Sequence, residues 1–346
     1  MWRLTYVLII GLILSACSQN KKELSTEFSK KASLAIIDSI NLEIHDILNP
    51  YEVQYKDSFL IFRNIRGERE IQLLDLKTGA SYTHKVIGQG KGEMSAYVLI
   101  NTSEPHSFRF VDYHKGDVYE IDLNCVRKEG LVEHTLVATL PVKDEIRILS
   151  FEETADYVYG TGLLPNNRFW VYDKQTKIVS KKADYPSIEQ ANALDSIQRS
   201  ILFVSTQMAA HKDRLVAMLV NSGLVDFYER SRDGSLLLKR EHCYFFPQFQ
   251  VLNGISIGYS RDDIRGFSDM TSDEDYVYLL YSSKTVEESG EDAYNCEDLY
   301  VYDWDGNPVR HYMLSQPLYS ISVGNGCLYG LSRTEEPKVY IYSLCE

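Results

Sequence analysis

A two-part pattern returns six times along this 346-residue chain and limits the fold more than any other feature. The first half is a turn with acidic or small residues followed by an apolar strand: "KDSFLIFRN", "PHSFRFVDY", "TADYVYGTG", "HKDRLVAML", "DEDYVYLLYSS" and "GNGCLYGLS". The second half is another strand running into a charged or glycine-bearing turn: "EIQLLDLKTG", "DVYEIDLN", "RFWVYDKQT", "LVDFYERSRDG", "DLYVYDWDGN" and "KVYIYSLCE". Equivalent positions in the second half are Asp75, Asp122, Asp173, Glu229, Asp303 and Ser343, at intervals of 47, 51, 56, 74 and 40 residues. A period of this size with several strands per unit belongs to blades of one ring rather than to a row of domains. Aromatic and β-branched residues alternate with polar ones, and 25 tyrosines suit half-buried antiparallel strands.

The chain is therefore expected to be all-β, a six-bladed β-propeller over residues 33–346. The blades fall near 48–87, 97–138, 145–182, 201–241, 265–314 and 318–345. The last unit stops after three strands, and an incomplete blade would leave an exposed sheet edge. The segment "SLAIIDSINLEIHD" ahead of the first blade is expected to supply the missing outer strand and close the ring. Two stretches depart from the repeat. "YPSIEQANALDSIQRSI" carries Ile188, Ala191, Leu194 and Ile197 at helical spacing after a Pro and a Ser, which predicts a short amphipathic helix between the third and fourth blades. "HCYFFPQFQVLNGISIGYSRDDIRGF" is a long aromatic and charged insertion before the fifth.

At the N-terminus, Arg3 precedes the uncharged run "LTYVLIIGLILSAC", whose apolar part of about a dozen residues is too short to span a bilayer. Leu14-Ser15-Ala16-Cys17 resembles the lipobox of bacterial lipoproteins. That resemblance implies a signal peptide over residues 1–16 and a lipid on Cys17, the first residue of the mature chain. Residues 17–32 are polar and without apolar periodicity, which reads as a flexible tether. Ser18 in place of aspartate resembles sorting to the outer membrane, and the absence of an acidic run after Cys17 points to its periplasmic side.

Loss of Arg3 with the signal leaves 35 basic against 49 acidic residues, a formal charge of about −14. Such a surface repels nucleic acid and anionic headgroups. Beyond Cys17 stand Cys125, Cys243, Cys296, Cys327 and Cys345, with no C-x-x-C spacing of the kind a structural zinc site uses. One disulfide is compatible with an oxidising envelope, but an odd set leaves at least one thiol out.

The fifth blade, "IRGFSDMTSDEDYVYLLYSSK", with "FFPQF" before it and "DLYVYDWDGNPVRHYML" after it, resembles the TolB-like six-bladed propeller lipoproteins of Bacteroidota. "QRSILFVSTQMAAHKDRLVAMLVNSGLVDFYE" resembles the fourth blade of that family, and "GQGKGE" matches in part its G-x-G-x-G-P-G-E-like loop, lacking the proline. The resemblance spans nearly the whole mature chain and implies an envelope propeller, generally without an assigned reaction.

Several short motifs bear on chemistry. "VIGQGKGEM" is neither a dinucleotide fingerprint, since Glu93 stands where the third glycine belongs, nor a P-loop, since Lys91 precedes Gly92 with no Ser or Thr beside it. It reads as a loop between blades, with Lys91 as counter-charge to an anionic group in the alternative reading. "GISIG" spells the nucleophile elbow with Ser256, yet neither the parallel strand nor the helix that the elbow requires is expected there. "DWDGN" opens like a calcium loop, but Gly306 is fourth and Leu314 twelfth, so a hairpin turn is expected. Asp273, Glu274 and Asp275 read as a solvated turn. The eight histidines show no H-x-H or H-x-x-x-H pairing, so a zinc site would need several blades. The best ligand-face candidate is the insertion, where Phe245, Phe246, Phe249 and Tyr259 accompany Arg261, Asp262, Asp263 and Arg265. Rings with paired charges suit a sugar or peptide; the bland alternative has the phenylalanines filling the core and the charges pairing with each other.

No complete catalytic set or cofactor motif emerges. The expectation is a lipid-anchored envelope propeller that binds or scaffolds a protein or glycan partner without catalysis; the alternative is a hydrolase or lyase on glycan or peptide, with its site in the propeller funnel.

Overall fold

The computed structural model describes residues 24–64, 70–85, 94, 96–102, 104–112, 114–142, 147–254, 256–333 and 336–344. Blade 1 comprises β3 (Pro50–Lys56), β4 (Phe59–Asn64), β5 (Glu70–Asp75) and β6 (Ser81–Lys85), after the N-terminal strands β1 (Lys31–Ser33) and β2 (Ile36–Asn41). Blade 2 comprises β7 (Val98–Asn101), β8 (Ser107–Asp112), β9 (Asp117–Asp122) and β10 (Thr135–Thr139); blade 3, β11 (Arg147–Glu153), β12 (Tyr157–Leu163), β13 (Phe169–Asp173) and β14 (Val179–Lys182). Blade 4 holds β15 (Thr206–His211), β16 (Arg214–Leu219), β17 (Leu224–Arg230) and β18 (Leu236–Cys243). A hairpin of β19 (Phe249–Leu252) and β20 (Ser256–Tyr259) follows. Blade 5 holds β21 (Ile264–Ser272), β22 (Tyr276–Thr285), β23 (Cys296–Asp303) and β24 (Pro308–Leu318). Blade 6 has β25 (Ser320–Gly324), β26 (Cys327–Ser332) and β27 (Lys338–Ser343).

Each blade is an antiparallel meander, and β2 pairs antiparallel with β27 as the fourth strand of blade 6. The N-terminus thus completes the C-terminal blade, as its sequence led us to expect. Six apolar clusters make the ring, one between each neighbouring pair of blades. They include Leu60, Phe62 and Leu331 between blades 1 and 6, and Phe227, Leu279 and Tyr302 between blades 4 and 5. This explains why the second strands read as unbroken apolar runs. Phe59 to Phe62 are all fully buried because a blade presses a neighbour on both faces, whereas the outer strand Ser81–Lys85 alternates between exposed and half-buried.

Two expectations need correction. The segment 17–32, expected as a flexible tether, is docked where the described residues begin: Leu24 and Phe28 lie in the cluster between blades 4 and 5, and the Phe28 ring sits 4.9 Å from Tyr300 and 5.2 Å from Tyr302. β1 then runs parallel to β24 as a fifth strand on blade 5. Two large apolar residues, Leu24 and Phe28, are too few to mark a packed segment in the sequence, yet enough to dock it. The helix between blades 3 and 4 starts later than its apolar spacing suggests. A short turn at Glu189–Ala191 precedes α2 (Ser196–Leu202), because Asp195 caps the Ile197 and Gln198 amides while Gln198 caps Asp195 in return. Ile197 is 56% exposed and has no part in the buried stripe. No disulfide joins the four described cysteines, of which Cys296 is buried and Cys125 and Cys243 are exposed, and Cys345 lies outside the described residues.

Candidate functional site

The inner strands β3, β7, β11, β15, β21 and β25 surround one axial channel. Its wide mouth, about 790 Å³, opens where these strands end and turn into the second strands. A throat of about 330 Å³ follows, and a smaller chamber of about 240 Å³ lies towards the opposite face, bordered by Tyr51, Tyr294 and Tyr319. Glu152 lines both mouth and throat, and Asp269 both throat and far chamber, so the three spaces are contiguous.

Polar side chains lace the inner strands together. Val53 and Tyr55 donate backbone N–H to Ser320 Oγ (3.2 Å) and Ser322 Oγ (2.8 Å), joining blade 1 to blade 6. Val323 donates to Thr271 Oγ1 at 3.3 Å, joining blade 6 to blade 5. Within the throat, Glu52 accepts from Arg63 Nη1 (2.7 Å) and Gln54 Nε2 (3.1 Å). Glu152 accepts from Asn101 Nδ2 at 2.8 Å. Asp269 accepts from the Ile321 amide at 2.8 Å and from Gln207 Nε2 at 3.1 Å. Burial raises the Glu152 carboxyl well above the usual range, opposed by Asn101 and reinforced by Glu52. Burial likewise pushes Asp269 up to about 6 against the pull of the Ile321 amide.

The mouth is more balanced. Burial lowers Lys56, opposed chiefly by Glu104, while its Nζ donates to the Thr102 carbonyl at 2.6 Å. Glu153 is held low against burial by Lys174 and Arg109, and Arg109 also binds Glu120 at 2.7 Å. Arg230 lies 4.0 Å over the Tyr157 ring. Three polar atoms here lack a hydrogen-bond partner among the described residues: Ser107 Oγ, His211 Nε2 and Arg230 Nε.

The insertion lies elsewhere. It connects an outer strand to the next inner strand, which puts it on the face opposite the mouth, and Tyr259, Arg261, Asp262, Asp263 and Arg265 line none of the three spaces. Tyr259 donates to the Leu202 carbonyl at 3.2 Å, Asp263 accepts from the Gln248 amide at 2.6 Å, and Arg261 pairs with Glu287 at 3.4 Å. Arg265 is buried and donates to the Ser260 and Asp263 carbonyls. Asp262 is exposed. Phe245 packs on the cluster between blades 4 and 5, and Phe246 and Phe249 on the one beside α2, so these residues fasten the insertion. Lys91, with its glycine loop, and Cys17 lie outside the described residues.

Ser256 sits in a hairpin strand opposite Leu252, without elbow geometry. Asp303 accepts from the Asp305 and Asn307 amides, which makes "DWDGN" a turn. His84 and His134 meet across blades 1 and 2 at 2.6 Å, where burial and the second ring pull His84 down to about 4. Among the described residues no group of three His, Cys, Asp or Glu could hold a metal ion. Sequence reasoning missed Glu52, Glu152 and Asp269; the usable signal was their place on first strands, whose polar side faces the axis.

The model of the TolB-like 6-blade propeller-like family matches residues 27–325. The chain belongs to that family. Among solved structures it is similar to a putative exported protein of Bacteroides fragilis, with 10% identity over 90% of this chain and 98% of that chain, at a TM-score of 0.52. A protein of unknown function from Bacteroides thetaiotaomicron is 11% identical over 91% of this chain and 74% of its own, at 0.51. U3-55K is 11% identical over 90% of this chain and 100% of its own, at 0.50. At such identities the likeness is one of fold. A search of curated proteins returns no match.

Proposed function

We propose that this TolB-like propeller is a non-catalytic binding module of the bacterial envelope, anchored through lipid at Cys17, and that its mouth engages a protein partner. The observation that carries this reading is the mouth itself. It is a broad cavity walled by the strand ends of six mutually packed blades, and it contains polar atoms that a partner would satisfy. Six residues separate Cys17 from Leu24, a reach of about 20 Å when extended, so the anchor would hold the propeller close to its membrane on the side of blades 4 and 5. The outer-membrane, periplasm-facing location rests on Ser18 and the non-acidic residues after it.

The test is capture of envelope proteins by the full chain and by three variants. Asp156→Lys and Lys212→Glu, both at the mouth, are expected to lose the captured protein. Thr135→Lys, on the outer strand of blade 2, is expected to keep it, and the reverse pattern overturns the proposal. Cys17→Ser is expected to release the protein from the membrane fraction; retention refutes the anchor.

A second reading, a hydrolase or lyase on glycan or peptide, draws support from Glu152 and Asp269, whose raised carboxyls share the channel. Turnover of a glycan or peptide lost in both Glu152→Gln and Asp269→Asn would establish it in place of the binding reading.

A further inference from the structure

The throat holds more negative than positive charge, and nothing in the fold requires it. Its ionisable side chains are Glu52 from β3, Arg63 from β4, Glu152 from β11 and Asp269 from β21, with Lys56 and Glu153 on the mouth side. Arg63 is engaged by Glu52 and lies 4.8 Å from the Tyr51 ring. Among the described residues, Glu152 and Asp269 are met only by neutral donors: Asn101 for the first, and the Ile321 amide, Gln207 and Ser320 for the second. Lys56 is bound to the Thr102 carbonyl, and Glu153 takes both Arg109 and Lys174. None of these cations reaches the two carboxylates.

Carboxylates buried without a cation destabilise a fold, and amides or hydroxyls would line a channel equally well. Glu152 and Asp269 come from different blades, so no single turn or cap explains both. A second observation points the same way. Ser107 Oγ, on a residue only 8% exposed, lines the mouth, as Glu152 does, and has no hydrogen-bond partner among the described residues. Glu152 and Asp269 present carboxyl oxygens and Ser107 a hydroxyl that accepts as readily as it donates, and the ligand that would hold both carboxyls ionised is a donor that carries positive charge.

We propose that the throat is a receptor for an ammonium or guanidinium group, presented at the tip of a lysine or arginine side chain that the protein partner inserts through the mouth. This deepens the binding reading above and rests on it. A narrow throat below a wider mouth suits a long unbranched side chain whose backbone stays outside, which favours a protein segment over a bulky sugar ring.

The full chain is titrated near neutral pH with N-acetyl-lysine amide, N-acetyl-arginine amide, uncharged N-acetyl-norleucine amide and glucosamine, followed by NMR and thermal shift. The cationic amino-acid probes are expected to bind about tenfold or more tighter than norleucine, a preference of about 1.4 kcal/mol. Glu152→Gln and Asp269→Asn are each expected to abolish that preference while folding normally, and Glu152→Gln is expected to melt above wild type because the cost of burying an ionisable carboxyl is gone. A lower melting temperature in Glu152→Gln with the preference intact marks Glu152 as structural and overturns the proposal. If one variant fails to fold, the other carries the comparison. Glucosamine binding as tightly as the lysine probe overturns the side-chain assignment in favour of an amino sugar. Norleucine binding as tightly as lysine, while the mouth variants still lose the captured protein, refutes the cation receptor alone. Capture insensitive to the mouth variants refutes both readings.

Discussion

Arg168→Met should be among the most damaging single changes outside the channel, and its cost follows from what it leaves behind. Arg168 and Asp226 are both fully buried between blades 3 and 4, where Arg168 Nη1 donates to Asp226 and, at 3.0 Å, to Tyr228 Oη. The guanidinium also lies within 6.0 Å of the Phe169, Phe203 and Tyr228 ring centres. Methionine keeps much of the apolar stem but strands the Asp226 carboxylate, already opposite Glu241 in the sheet, with no cation. Breaking a buried pair this way costs about 3–5 kcal/mol, a large share of the 5–15 kcal/mol that holds a typical domain. Replacing both partners, Arg168→Met with Asp226→Leu, should return stability to within about 1 kcal/mol of wild type or above it, because the desolvation of two charges is also removed. In the single variant the stranded acid has a raised folded pKa. Its protonated form is favoured by folding, so stability lost at neutral pH is regained as pH falls towards the ordinary carboxylate range. Urea unfolding of both variants near neutral pH and again in mild acid measures this. A single-variant loss under about 1 kcal/mol, or no recovery in the double variant, refutes the reasoning.

Other consequences can be checked by the same unfolding measurement. Asp269, at about 6 in the fold, should make stability fall as pH rises from about 4 through 6, by up to about 2 kcal/mol after screening by channel water; Asp269→Asn should flatten that slope, and an unchanged profile would contradict it. Phe28→Ala should cost about 3–4 kcal/mol, as a core residue does, whereas a loss near zero would restore the view of this segment as tether. Gly266→Ala should cost at least about 2 kcal/mol, since Gly266 has φ +72° and an added Cβ would stand 2.4 Å from the Ser222 carbonyl oxygen; wild-type stability would refute that contact.

Much of the ring was legible because it is written in repetition. Turn, strand and turn recur six times, and the three-strand final unit beside a spare N-terminal strand determines which strand closes it. What stayed hidden depends on contacts distant in sequence. Leu24 and Phe28 look like stray apolar residues until Tyr300 and Tyr302 receive them. α1 (Leu123–Glu129), capped by Asp122 and ended by Gly130, was missed because it interrupts blade 2 within what reads as a strand and turn. The throat was the least visible feature. Glu52, Glu152 and Asp269 occupy ordinary polar positions of alternating strands and converge only when three blades close round one axis. The insertion drew attention because its residues cluster in sequence, yet its phenylalanines anchor it and Asp263 and Arg265 tie its loop together. Local density of rings and charges marked a segment that must hold itself down, while the channel was assembled from single residues far apart.

Engagement of a partner at the mouth can be read out by photo-crosslinking in intact cells with a benzophenone side chain placed at Asp156 or at Thr135. Both sites are exposed, one beside the channel and one on the outer strand of blade 2. Engagement at the mouth gives a discrete adduct from Asp156 and none from Thr135. A discrete adduct from Thr135, with none from Asp156, would contradict it.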